Sequence, residues 1–253
     1  MTITQNTQTT QSAVEIRRKG DRFHTQAGWL DSRHSFSFSH HYDPRNMHHG
    51  LLLVHNDDVV KANSGFRTHP HRDMEIVTWV LEGELEHKDS EGNSGLLYPG
   101  LAQRMSAGTG IWHSEMNPQG DKDVHFIQMW VPPEQESIMP GYEQLDINGQ
   151  LNNGELVPIA SGRGHQAAIS IRQKGAVLWG GRLRPGKTAL VPDAPYVHVF
   201  VAKGSAELEG AGQLEAGDEA RLTAAGVRRL TAGKDRGAEV LIWETDATLE
   251  LSV

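Results

Sequence analysis

Trp79-Val-Leu-Glu-Gly83 and Phe200-Val-Ala-Lys-Gly204 are two apolar runs that each end on a glycine, and the chain around them repeats in step. A turn follows each glycine, and then a matching stretch: Pro99-Gly-Leu-Ala-Gln-Arg-Met105 in one case, Ala216-Gly-Asp-Glu-Ala-Arg-Leu222 in the other. Gly83 and Gly100 are 17 residues apart, Gly204 and Gly217 are 13 apart, and a longer hairpin in the first half accounts for the difference. Each half closes on an aromatic strand, Phe126–Trp130 and Val240–Trp243. This order predicts two stacked β-barrels of one kind, joined near residues 140–155, where Gly141, Asn148, Gly149, Asn152, Asn153 and Gly154 cluster.

The rest of the chain agrees with an all-β reading. Twenty-seven glycines and 11 prolines cut it into short apolar segments: Gly50–His55, Glu75–Leu81, His125–Pro132, Val177–Leu183, Tyr196–Ala202 and Glu239–Trp243. Val197, Val199 and Val201 alternate with His198, Phe200 and Ala202, the period of a strand with a β-branched face. His87-Lys-Asp-Ser-Glu-Gly-Asn-Ser-Gly95 has the Asp, Ser, Asn and Gly content of a hairpin turn. Only Glu134–Met139, short and bounded by proline, reads as helix. Residues 1–13 are polar and without period, which predicts a flexible tail. The expected organisation is therefore tail 1–13, first barrel 14–145 and second barrel 146–253.

Composition narrows the chemistry. With 253 residues and a net charge of −8, the chain can bury a sizeable core and lacks the basic surface that collects phosphates, so nucleic acid is not an expected direct ligand. No apolar run approaches the ~18 residues of a membrane span, and no signal core opens the chain, so a cytoplasmic protein with no membrane partner is expected. The absence of cysteine excludes disulfides, thiol nucleophiles and Cys-ligated zinc or iron–sulfur clusters, while 14 histidines leave an N/O-ligated metal open.

His69-Pro-His71 offers such ligands, because a period of two puts both imidazoles on one face of an extended segment, together with Asp73 and Glu75. Trp112-His113-Ser114-Glu115 supplies a second His and a carboxylate at the same spacing, just after Gly108-Thr-Gly110, which permits a tight turn. Two such strands facing each other would converge three imidazoles and a carboxylate on one point. That set suits a divalent transition ion such as Fe(II), Ni, Cu, Mn or Zn and leaves positions open for substrate or O₂. Spacing does not choose between Glu75 and Glu115 as the carboxylate. In His40-His41 and His48-His49, adjacent residues on a strand point oppositely, so at most one of each pair could join a site. Arg33, His34, His55-Asn56-Asp57-Asp58, His165 and His198 read as structural, with His165 and His198 as surface or partly buried histidines. Phe36, Phe38, Trp79 and Trp112 are expected to fill the barrel.

The segment Gly65-Phe-Arg-Thr-His-Pro-His71-Arg-Asp-Met-Glu75 with Gly83, followed by Gly108-x-Gly110-x-x-His113-x-x-x-Asn117, resembles the two motifs of the cupin superfamily. More narrowly, His69 through Gly83, Glu86 through Asn93, Met105 through Pro118 and Gly28 through Phe38 are similar to the signatures of the pirin family, over about residues 20–145. That resemblance implies a bicupin with its metal in the first barrel, held by His69, His71, His113 and Glu115, with Glu75 as an outer partner of a ligand imidazole. It implies Fe(II) as the first expectation for the ion, and a quercetin 2,3-dioxygenase-like reaction in which a flavonol meets O₂ and Glu115 acts as base. It also implies an alternative, a regulatory protein that senses metal or redox state and binds a protein partner without turnover. Alignment of the halves places Leu190, Pro192, Leu230 and Ala232 where the first barrel has its ligands, so no metal site is expected in the second.

Overall fold

Short apolar runs between glycine turns are favoured as strands because each can bury one or both faces against a neighbouring layer. A computed structural model, which describes residues 2–4, 11–166 and 169–250, shows that outcome along nearly the whole chain. The predicted segments lie in or beside strands Val54–Val60, Glu75–Glu82, Val124–Val131, Ala176–Leu183, Tyr196–Leu208 and Ala238–Thr245.

In the first half a seven-stranded sheet runs in the order Gly141–Asp146, Leu101–Ser106, Glu75–Glu82, Val124–Val131, Val54–Val60, Leu30–His34, Phe23–Gln26. It packs against a four-stranded sheet ordered Gly65–His71, Ile111–Met116, Leu85–Asp89, Ser94–Leu97. The second half repeats the plan around the long strand Tyr196–Leu208, whose first part lies in a large sheet with Ala238–Thr245 and Glu219–Thr223. Its far end pairs with Gly212–Glu215 and Arg228–Ala232 in a smaller layer. The layers do not close into barrels; each half is a jelly-roll-like sandwich. The repeat extends to the backbone: Gly83 and Gly204 have φ of 78° and 71°, and Gly100 and Gly217 both have 91°, the left-handed region open to glycine.

One apolar cluster joins the halves, with Trp79, Ile127 and Met129 of the first meeting Leu178, Phe200 and Trp243 of the second. Strand Tyr196–Leu208 therefore buries both faces. Val197, Val199 and Val201 fill the interior of the second sandwich, while Phe200 and Ala202 pack toward the first. His198 shares that second face and is 1% exposed, so the surface or partly buried position expected for it is corrected to a fully buried one.

Other expectations change as well. Ala13–Arg17 pairs with Glu219–Thr223, so the start of the first half supplies an edge strand to the second. Thr2–Thr4 pairs with Thr248–Glu250, which places part of the expected tail in a small sheet; residues 1 and 5–10 lie outside the described residues. Glu134–Met139 is irregular, with bends over residues 134–137, and the one α-helix among the described residues is Asn148–Leu151, in the Gly/Asn cluster read as a joint. No helix among the described residues is long and apolar enough to cross a membrane.

Candidate metal centre

Strands Gly65–His71 and Ile111–Met116 pair antiparallel with His113 opposite His69, which brings two ligand-type side chains together by register. Pro70 has no amide to donate, and its strand is at the edge of the four-stranded sheet, where that omission is tolerated. The period of two then sets His69 and His71 on the inner face, while Trp112, opposite Pro70, is exposed. A bulge between His113 and Glu115 shifts Glu115 to face Phe66.

The ligand nitrogens of His69, His71 and His113 lie within 4.8 Å of one another. Nδ1–H of His69 donates to the Arg67 carbonyl at 2.8 Å, which leaves its Nε2 bare. His113 is held the same way, Nδ1 to Nδ1 of His87 at 3.5 Å, with His87 Nε2 in turn 3.3 Å from Asp89. The Nε2 atoms of His69 and His113 then face each other at 3.1 Å. Two lone pairs opposed at that distance repel unless a cation or proton is shared between them. Nε2 of His71 is buried with no partner. Burial, reinforced by the neighbouring imidazoles, pushes His71 down to about 4 and His113 down to about 3, so both are neutral ligands at neutral pH. The three histidines thus fit a borderline divalent transition ion.

Glu115 lies beside this group but is not among the three. It is buried, with Oε2 accepting from Gln128 Nε2 at 2.6 Å and Oε1 from Thr78 Oγ1 at 3.5 Å. Glu75 does not orient an imidazole: its Oε2 accepts from the Arg172 amide at 3.0 Å and lies 4.0 Å from Arg104, a link to the second half of the chain. His40 and His41 occupy a turn, so the strand argument does not apply to them, and their rings are 4.2 Å apart.

A cavity of about 630 Å³ opens beside His69, His71 and Glu115. Trp29, Leu30, Phe38, Phe66 and Trp130 supply apolar walls, with the Trp130 ring 4.8 Å from that of His71. The facing wall comes from the seven-stranded sheet, where register lines up His34, Asn56, Gln128 and Thr78 in one row and Thr25, Ser32 and Asp58 in the next. The sequence reading missed His87, Asp89, Gln128 and Asp58. The hairpin motif could have pointed to the first two, whereas the others depend on cross-strand register. Leu230 and Ala232 are core residues of the second half and Leu190 is exposed, so the positions aligned with the ligands hold no metal-binding side chain there.

The Pirin family profile matches residues 16–131. "Putative quercetin 2,3-dioxygenase Rv0181c" of Mycobacterium tuberculosis is 57% identical over 239 residues, 94% of this chain and 97% of that protein. "Quercetin 2,3-dioxygenase" of Escherichia coli is 52% identical over 131 residues, 52% of this chain and 57% of that protein. The bacterial pirin YhhW of Escherichia coli, solved in complex with nickel(II), superposes with a TM-score of 0.84 at 33% identity, covering 94% of this chain and all of that one. With the likeness running through both halves and not only the histidine-bearing one, this chain belongs to the pirin family.

Proposed function

We propose that the chain is a metal-dependent dioxygenase that cleaves a flavonol-type substrate with O₂. The observation that carries this reading is the convergence of three imidazoles, two of them with opposed bare nitrogens, at the wall of a cavity with aromatic sides. His69, His71 and His113 would hold the ion and Glu115 would complete the set, with Fe(II) the first expectation among Fe(II), Ni, Cu, Mn and Zn. The bacterial pirin YhhW, solved in complex with nickel(II), supports the binding of a divalent ion. When bound, the ion supplies Lewis acidity and open coordination positions. The residues 14–145 carry this chemistry, and the residues 146–253 support it through the shared core.

The side chains of the cavity define what they can do to a flat hydroxylated aromatic. Trp130, Phe38 and Phe66 offer ring faces that bury its apolar area and fix its plane. Glu115 is placed to take the proton of a hydroxyl presented to the histidines, and its hydrogen bond from Gln128 holds the carboxylate toward the cavity. A cavity of this size holds the ring system.

The test is direct. Protein loaded with Fe(II) or Ni(II) is mixed with quercetin while flavonol absorbance, O₂ uptake and CO are followed. Turnover that disappears in His69→Ala supports the reading. Metal-loaded protein that consumes no flavonol overturns it and favours a regulatory role with a protein partner.

A further inference from the structure

Four consecutive polar residues, His55-Asn56-Asp57-Asp58, sit in a strand that is buried along most of its length. Alternation divides them. His55 and Asp57 face the second half, where Asp57 meets Arg22 and His125. Asn56 and Asp58 line the cavity, and each is 3% exposed. Packing does not explain a carboxyl there. Val60 and Phe126, the neighbours of Asp58 along and across the strands, belong to an apolar cluster with Leu30, so an apolar side chain at 58 would be buried at lower cost.

Most polar atoms of this wall are already engaged. Gln128 gives Nε2 to Glu115 and accepts from Trp130 Nε1 on Oε1 at 3.0 Å. His34 donates from Nδ1 to Asn56 Oδ1 and accepts from Thr25 Oγ1 on Nε2, each at 2.9 Å. Ser32 Oγ donates to Asp58 Oδ1. Among the described residues, Nδ2 of Asn56 and Oδ2 of Asp58 have no hydrogen-bond partner, although both side chains are almost wholly buried at the cavity. Burial, reinforced by the carboxylates of Asp57 and Glu115, outweighs the Ser32 hydrogen bond and raises Asp58 to about 7, as befits a carboxyl short of donors. The open pair is thus an amide that donates beside a carboxyl oxygen that accepts, and a phenolic hydroxyl, which does both, satisfies the two together.

Register sets how far this pair is from the metal centre. Gln128, which holds Glu115, lies opposite Asn56, and Asp58 is its diagonal neighbour, about 7–8 Å away. Two hydroxyls of one molecule, one presented to Glu115 and one held by Asn56 and Asp58, are then farther apart than two hydroxyls on a single benzene ring. We infer that Asn56 and Asp58 bind a hydroxyl on the far ring of the substrate, so that the cavity selects aromatics of at least two rings with hydroxyls at both ends. The hydroxyl at the histidines comes from the proposed flavonol reading, on which this selection rests; the far contact adds what the other end of the molecule must carry. A bare ring entering the cavity strips solvent from Nδ2 and Oδ2 and leaves both unpaired in the interior, whereas a hydroxyl gives each a hydrogen bond.

The experiment titrates nickel-loaded protein under nitrogen, in a calorimeter, with quercetin and with 3-hydroxyflavone, which lacks every hydroxyl but the one meant for the metal centre. The readout is the ratio of the two dissociation constants. Wild type is expected to favour quercetin about tenfold or more, and Asp58→Ala to reduce that preference by a similar factor. Asp58→Asn keeps the acceptor of the Ser32 hydroxyl and turns the open atom into a donor. It is expected to reduce the preference by a smaller factor, and it reads the same contact if the alanine variant does not fold. Wild type without a preference, or a preference that does not fall in the folded variants because both ligands hold or weaken alike, overturns the far contact and leaves the flavonol reading intact. Wild type that binds neither ligand overturns both.

Discussion

Gln128 decides how the candidate ligand Glu115 is presented. Its amide is 2.6 Å from Glu115 Oε2, and both side chains are buried, so removing it leaves a carboxylate with one distant partner, Thr78. Gln128→Leu is expected to weaken metal binding by about 10–100-fold, the range seen when outer partners of ligands are lost, with the stoichiometry at saturation unchanged. Competitive titration against a chelating dye measures this; an unaltered affinity would show that Glu115 does not depend on Gln128. Asp58 makes a second expectation at this scale. Its acid is raised from 3.8 to about 7, so the folded state holds a proton that the unfolded state releases. The stability it contributes is complete below the unfolded value and lost as pH rises through about 7. Asp58→Asn should therefore gain on wild type as pH is raised from 5 to 8, a difference that urea midpoints at the two pH values report. The histidines of the metal centre were legible from H-x-H and H-x-E spacing because a two-residue period acts within one strand. Gln128 and Asp58 were not, because the contacts that define them run across strands, and the sequence does not contain the register.

At the scale of the strand, Val54–Val60 shows how alternation assigns one polar run to two tasks. Its inward residues Asn56 and Asp58 face the cavity, while His55 and Asp57 meet a buried set that includes Arg22, His198, Glu219 and Arg221. The sequence reading took these residues as structural, which holds for the face directed at the second half and misses the other. Arg22→Met would leave Asp57 and Glu219 short of a counter-charge in the interior and is expected to destabilise the protein by about 3–5 kcal/mol, measured by denaturant unfolding. The turns that end the matched strands give an expectation shared by both halves. A Cβ on Gly83 would lie 2.7 Å from the Asp123 carbonyl oxygen, and one on Gly204 would overlap the Gly237 carbonyl oxygen, each at a φ disfavoured for other residues. Gly83→Ala and Gly204→Ala should each cost about 1–3 kcal/mol or more, by strain and by contact. That equivalence explains why the repeat could be read at all: glycine is demanded where the backbone turns left-handed, and the demand leaves a mark in sequence. The sheet edges carry no such mark, and so the pairing of Ala13–Arg17 with the second half was missed.

Across the whole molecule the two sandwiches share one apolar cluster and a buried ionic group, so neither half can lose its packing without exposing surface of the other. Unfolding is therefore expected to be a single transition by tryptophan fluorescence and circular dichroism, even though the candidate ligands His69, His71 and His113 all lie in one half. Because an ion that binds the folded state alone stabilises it by mass action, chelation should move that one transition downward as a unit, by about 3 kcal/mol for an ion present at a hundred times its dissociation constant. Two separated transitions, with only one responding to chelator, would show that the halves are independent. Acid should act on the same transition. Burial lowers His49 to about 3 and His34 to about 4, with His48, His55 and His198 also shifted down. Each of these groups takes up a proton less readily in the folded chain than in the unfolded one, where histidine titrates near 6.5, so stability is present above that value and lost as pH falls below it. Asp57 and Glu219, held below their ordinary values by His125 or His198 and by nearby arginines, add a loss of the same sign at lower pH. Asp58 opposes them at higher pH, but one carboxyl stands against these five histidines and, in the metal-free protein, against His71 and His113 as well. The urea midpoint of the metal-free protein should thus fall steadily from pH 7 to pH 5, in one transition throughout. A midpoint that holds level over that interval would mean that the buried histidines accept protons without opening the interface between the halves.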